Sequence, residues 1–133
     1  MTVVVDTSAL LAVVFGEVDA ARYLDALIAH VGELVISTAN LVEARVVAEA
    51  RRGRDGATDL AELLTSLQVV VVEQDLSQAD AAVQAWRRFG KGRHPAGLNL
   101  CDCFSYALAS QFRARLLYKG NDFRQADILS VLD

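Results

Sequence analysis

Two periodicities alternate along the chain, and their alternation predicts most of the architecture. Val3, Val4 and Val5 make a short, wholly apolar run that reads as a buried strand. Helical spacing follows over residues 7–15 and 19–30, interrupted near Gly16, with Ala20, Tyr23, Leu24, Leu27 and Ile28 expected on one face. Gly32 closes this helical pair, residues 34–37 give a second apolar strand, and residues 40–52 resume as a helix with Val42, Val46 and Ala50 at four-residue spacing. Gly53 and Gly56 mark a break before a short helix over 58–67. Residues 69–72 are an uninterrupted β-branched run, and residues 76–89 are helical again with Asp75 as the N-cap.

Residues 90–98 hold three glycines and the single proline, which predicts a mobile loop. Asn99 then opens a helix to about residue 112, residues 116–118 read as a strand, and residues 128–131 suggest a last short strand after the Gly120-Asn121-Asp122 turn. Apolar strands without polar alternation, separated by helices, imply a sheet buried on both faces. The expected class is α/β, with a central, mostly parallel sheet flanked by helices on both sides.

Composition narrows the setting. At 133 residues the chain suits one domain over its whole length, with no repeat or linker. The net charge of −4 argues against a general nucleic-acid coat. Seven of the 13 basic residues nevertheless fall in two groups, Arg51, Arg52 and Arg54, then Arg87, Arg88, Lys91 and Arg93. Cations at helix ends complement exposed carbonyls; Arg51, Arg52, Arg87 and Arg88 are also candidate substrate contacts. Trp86 and Phe89 beside them would suit stacking on an unpaired base, or core packing.

Cys101 and Cys103 stand too close in sequence for an unstrained disulfide, and a reducing cytoplasm is the expected compartment. With His94 they lack a fourth ligand at zinc spacing. No run approaches the roughly 18 apolar residues of a membrane span, and Asp6 interrupts any leader-like segment.

In parallel sheets ligands bind beyond the carboxyl ends of the strands, and carboxylates dominate those positions here. Asp6 follows the first strand, Glu43 lies in the first turn after the second, Asp102 in the first turn of the late helix, and Asp122 after the strand at 116–118, with Asp127 five residues on. Each has a structural reading. Asp6 would cap a helix, Glu43 and Asp102 stand three residues after Asn40 and Asn99 at capping-box spacing, and Asp122 and Asp127 suit turns. Together they form a cluster whose mutual repulsion calls for a cation. An all-oxygen set suits Mg²⁺ or Mn²⁺, and such a site serves phosphodiester hydrolysis without a side-chain nucleophile.

Four segments carry a family likeness: VVVDTSALLA from Val3, STANLVEA from Ser37, LNLCDCFSYALA from Leu98 and LLYKGND from Leu116. In this order and at these separations they resemble the PIN-domain nucleases, and among them the VapC-type toxins of bacterial toxin–antitoxin pairs. The resemblance implies an Mg²⁺- or Mn²⁺-dependent endoribonuclease whose acidic quartet is Asp6, Glu43, Asp102 and Asp122. It makes Asp127 an additional acid and gives Ser8 a hydroxyl that supports a carboxylate or a bound water. It also implies a homodimer, a structured RNA substrate such as a transfer or ribosomal RNA, products with 5′-phosphate and 3′-hydroxyl ends, and a small cognate antitoxin. Cys101 departs from the glycine that relatives commonly carry before the third acid.

Two readings from other classes stand beside this one. In one, Asp6 accepts a phosphoryl group, as in a phosphatase or receiver-like domain, but no second aspartate lies two residues on, and only Lys91 and Lys119 could supply the required lysine. Alternatively, a non-catalytic dimer would use an acidic groove to receive an arginine-bearing peptide.

Overall fold

The computed structural model describes residues 1–132. Its elements are β1 (Val3–Val5), α1 (Thr7–Val14), α2 (Ala20–Ala29), β2 (Leu34–Ser37), α3 (Thr38–Ser66), β3 (Val70–Val72), α4 (Leu76–Phe89), α5 (Leu100–Phe112) and β4 (Arg115–Leu117), followed by a 3₁₀ turn at Asp122–Gln125. The strands form one parallel sheet in the order β3-β2-β1-β4, as the alternation of strand and helix predicts.

The central position of β1 explains its three consecutive valines. Val3 and Val5 enter a core with α1, α2 and α3, whereas Val4 enters a second core with α4 and α5. Successive side chains of a strand point to opposite faces, so a strand covered on both sides has no position for a polar residue.

β3 departs from that expectation. It is an edge strand, and Val70 and Val71 are 57% and 44% exposed. The expected apolar stripe of the helix after β2 also faces outward: Val42 and Val46 are exposed, as is Ala50, while Asn40, Ala44 and Ala48 are buried. Four-residue spacing fits either side of a helix, and packing against α1 selects the narrower alanine face because it permits close approach. Ile28 likewise lies outside the buried face of α2 formed by Tyr23, Ala26 and Leu27.

The two expected breaking glycines have different roles. Gly53 has φ 59° and ψ −144° and divides α3 into two helical halves. Gly56 is already inside the second half, which therefore starts earlier than residue 58, and it is buried. A Cβ there would stand 2.3 Å from the Ala48 carbonyl oxygen, so the halves fold together only because that carbon is missing. The 90–98 segment is a loop closed on itself, not an open one. Lys91 N–H donates to the Leu98 carbonyl and Leu98 N–H to the Phe89 carbonyl, with Ala96 and Leu98 buried. The expected strand at 128–131 contracts to a single parallel bridge between Leu116 and Ser130. No helix among the described residues is long and apolar enough to cross a membrane.

Gly56→Ala is therefore expected to destabilise the protein by about 1–3 kcal/mol through overpacking against backbone. Thermal unfolding checks this, and an unchanged midpoint would mean that the two halves of α3 are not in contact.

Candidate active site

The carboxyl edge of the sheet gathers acids from four separate elements. Asp6 is the residue after β1, Glu43 lies on α3 beyond β2, Asp102 is in the first turn of α5, and Asp122 opens the turn beyond β4; all four line one cleft with Ser8, Asn99, Arg51 and Lys119.

Asp6 is the most deeply placed, 4% exposed. Its Oδ2 accepts from the Ser8 backbone N–H at 3.0 Å and the Ser8 hydroxyl at 2.6 Å, and its Oδ1 accepts from the Ser105 hydroxyl at 2.5 Å. The first of these is the N-cap of α1, so capping and cleft-lining are both functions of one carboxylate. Ser8 Oγ in turn accepts from the Lys119 N–H at 2.9 Å and ties the exit of β4 to that of β1. Ser105 carries no motif of its own. The available signal was its position three residues after Asp102, on the same side of a helix.

Asp102 forms a complete capping box with Asn99: its Oδ2 accepts from the Asn99 N–H at 3.0 Å, and Asn99 Oδ1 accepts from the Asp102 N–H at 2.8 Å. That leaves Asp102 Oδ1 for a ligand. Glu43 does not follow the analogous pattern. The N-cap of α3 is Ser37, whose Oγ accepts from the Asn40 N–H, so Glu43 sits in the second turn instead of the first. Asn40 is fully buried, accepts from the Ser37 hydroxyl at 2.6 Å and donates to the Cys101 carbonyl at 2.9 Å, which fixes the start of α3 against the start of α5.

The electrostatics are those of crowded, uncompensated carboxylates. Burial raises the proton affinity of Asp6 against the lowering effect of its three hydrogen bonds, and the charge of Glu43 raises it further. Asp102 is pushed up to about 7, first by burial and then by Asp6, Asp122 and Glu43, against the Asn99 hydrogen bond. The Cys101 thiol is pushed up to about 12 by burial and by Glu43, and that of Cys103 to about 11, chiefly by burial. Both therefore stay protonated at neutral pH, as small buried or half-buried groups. The one lysine at the rim is committed elsewhere, since Lys119 Nζ lies 2.5 Å from Glu17 Oε2 and 2.8 Å from Asp19 Oδ1.

Asp127, an expected further acid of the cluster, has other partners. It accepts from the Tyr106 hydroxyl and from Arg88 at 2.9 Å, and these donors hold its carboxyl below its ordinary proton affinity. It joins the C-terminal segment to α4 and α5 and does not line the cleft. Of the four arginines considered as substrate contacts, Arg51 lines the cleft, over the Phe15 ring at 5.0 Å. Arg52 pairs with Asp59, Arg88 with Asp127, and Arg87 is exposed at the end of α4.

Among the described residues no three His, Cys, Asp or Glu side chains close around a common point, so the acids line an open cleft and do not form a cage. The donor set nonetheless fits a hard divalent cation: all oxygens, with raised proton affinity on Asp6 and Asp102 and, among the described residues, no cation in an ion pair with any of the four. The geometry fits a phosphoryl acceptor less well. Lys119 is near, but it is bound to two acids, and both oxygens of Asp6 are held by donors inside the fold.

A parallel sheet with acids converging beyond its carboxyl edge defines an acidic-cleft α/β domain. Residues 3–129 match the family model for the PIN domain. The chain is 46% identical over 128 residues to Ribonuclease VapC of Mycolicibacterium smegmatis, covering 96% of this chain and 98% of that protein. It is 46% identical over 129 residues to Ribonuclease VapC30 of Mycobacterium tuberculosis, covering 96% and 97%. Among solved structures, Mycobacterium tuberculosis VapC20, a sarcin-ricin loop cleaving toxin, superposes with a TM-score of 0.81 at 19% identity over 98% of each chain. VapBC2 of Rickettsia felis, bound to a promoter DNA fragment, superposes with a TM-score of 0.77 at 13% identity, over 98% of this chain and 97% of that one. The chain belongs to the PIN-domain family, among relatives named VapC ribonucleases.

Because Asp102 binds its proton more tightly in the fold, the folded state holds more protons than the unfolded one between pH 4 and 7, and its contribution to stability falls as pH rises through that window. Without divalent ions, Asp102→Asn is expected to melt higher than the parent by a few degrees at pH 8, and the difference should vanish near pH 4. A constant difference across that range would show that Asp102 titrates normally.

Proposed function

We propose that the protein is a divalent-metal-dependent endoribonuclease, the toxin of a toxin–antitoxin pair. The observation that carries this reading is the convergence of Asp6, Glu43, Asp102 and Asp122, from four separate elements, on one cleft at the carboxyl edge of the sheet. Relatives at 46% identity bear the name ribonuclease, and a protein of the same fold cleaves the sarcin-ricin loop, which favours a structured RNA such as a ribosomal or transfer RNA as substrate. Structural neighbours include a toxin–antitoxin complex from Klebsiella pneumoniae, which favours a small antitoxin as partner. A homodimer acting in the cytoplasm completes the proposal.

Asp6, Glu43, Asp102 and Asp122 would hold one or two Mg²⁺ or Mn²⁺ ions. When bound, the metal supplies neutralising charge and Lewis acidity at the scissile phosphate. The residues of the chain do the placing. Ser8 and Ser105 fix the Asp6 carboxylate in a single orientation, and the Asn99 N–H fixes one oxygen of Asp102. Proton affinity near neutrality at Asp102 means that occupation of the cleft displaces a proton from its carboxyl, and that RNA cleavage should rise with pH through about 7.

Purified, antitoxin-free protein is expected to cut cellular RNA into discrete fragments with Mg²⁺ or Mn²⁺ and not with EDTA. Folded Asp6→Asn and Asp102→Asn variants should lose at least about 100-fold of that rate. Cleavage that survives both substitutions, or none from the parent, would sink the assignment.

Asp127→Asn provides a separate check. Its partners tie it to Tyr106 and Arg88, so the variant should retain cleavage within about threefold and lose only the roughly 0.2–1 kcal/mol of an exposed ion pair. A loss as deep as that of Asp102→Asn would place Asp127 in the catalytic set.

A further inference from the structure

The most basic stretch of this acidic chain lies beside the cleft and not in it. No Asp or Glu occurs between Asp80 and Asp102, while Arg87, Arg88, Lys91 and Arg93 all do. Arg88 is bound to Asp127. Among the described residues Arg87, Lys91 and Arg93 have no acidic partner, and all three are exposed. Arg87 stands in the last turn of α4, where it complements the helix dipole, and Arg93 Nε donates to the Arg87 carbonyl at 3.3 Å, but Lys91 lies beyond that helix and capping does not explain it.

Trp86 lies under one of these cations and next to another in sequence. It is 43% exposed, and Arg93 lies over its ring at 4.6 Å. The indole is seated against Gly90, where a Cβ would meet its Cδ1 at 2.5 Å, so the ring is held by backbone with part of its surface open. The route from the indole to the cleft is short. Gly90 is bridged to Leu98, and Leu98 adjoins Asn99, which lines the cleft and caps the helix carrying Asp102.

We propose that Trp86, with Arg87, Lys91 and Arg93, forms a second contact site for RNA, in which an unpaired base stacks on the indole and the cations hold the flanking phosphates. The inference rests on the ribonuclease reading and adds to it a requirement for a splayed nucleotide near the cut. Base–aromatic stacking is stronger than an exposed cation–π contact, so a base takes the indole face and leaves the Arg93 guanidinium to the neighbouring phosphate. Phosphate contacts by themselves carry no preference for unpaired RNA; the aromatic surface supplies it. The location also suits the charge distribution, since the acids of the cleft repel a polyanion and a cationic site outside it offsets that repulsion during encounter.

Trp86 is the single tryptophan of the chain, so its emission reports on this site alone. Titration of the protein in EDTA, where RNA stays intact, with a single-stranded RNA oligonucleotide is expected to quench the emission saturably, and a blunt RNA duplex of equal length is not. In anisotropy measurements with the labelled oligonucleotide, Trp86→Ala should weaken binding roughly 5- to 100-fold. Trp86→Phe, which keeps a ring against Gly90, should recover most of that loss. Arg93→Gln should lower the salt dependence of binding by about 0.7 in its logarithmic slope, whereas Arg22→Gln, on α2, should not change it. No quenching, equal quenching by the duplex, or equal losses from Arg22→Gln and Arg93→Gln would overturn the proposal, as would quenching by a poly-glutamate peptide in place of RNA. Metal-dependent cleavage by a protein whose emission RNA does not alter would leave the nuclease standing and remove this site; quenching without cleavage under any metal would do the reverse.

Discussion

The site depends on keeping one carboxylate buried at the end of the central strand. Asp6 lies where β1 leaves two apolar cores, and burial alone would strongly favour its neutral form. Donors from α1 and α5 converge on its two oxygens, and Ser8 extends the arrangement to the backbone after β4. The order of the strands makes this possible. β1 is flanked by β2 and β4, so the chain leaves the sheet at neighbouring points even though the residues concerned are more than a hundred positions apart.

Burial still outweighs those hydrogen bonds, and the proton affinities of Asp6 and Asp102 stay raised. A fold selected only for stability would place a cation among such acids. Lys119 is the nearest candidate, and its ammonium is held by Glu17 and Asp19 between α1 and α2. Arg51, on the other side, lies over Phe15. The raised proton affinities are what a site at odds with local stability looks like.

Most of the fold was legible in the sequence because it depends on local signals. Valine runs bounded by helical periodicity give parallel strands, and the Asp75 and Asn99 caps were readable at single-residue precision. The parts that were not legible depend on tertiary choice. Val42, Val46 and Ala50 have the same spacing as Asn40, Ala44 and Ala48, and only the close approach of α3 to α1 decides for the smaller side chains. Ser37 capped α3 in place of Asn40 because Asn40 was required as a buried bridge to the Cys101 carbonyl. Ser105 was invisible because a serine in a helix has no pattern until its acceptor, 99 residues earlier, is placed beside it.

Asp127 and Asp122 show where the sequence stops discriminating between acids. They are five residues apart, and both suit a turn. Asp122 opens a 3₁₀ turn at the mouth of the cleft, whereas Asp127 meets a tyrosine hydroxyl and an arginine that belong to α5 and α4. An acid with a hydroxyl and a guanidinium as partners is already satisfied and gains little from a metal; an acid beside other acids gains a great deal. The distinction is a property of neighbours contributed by distant elements, so counting carboxylates along the chain overestimates the cluster by the members whose charge the fold has already matched.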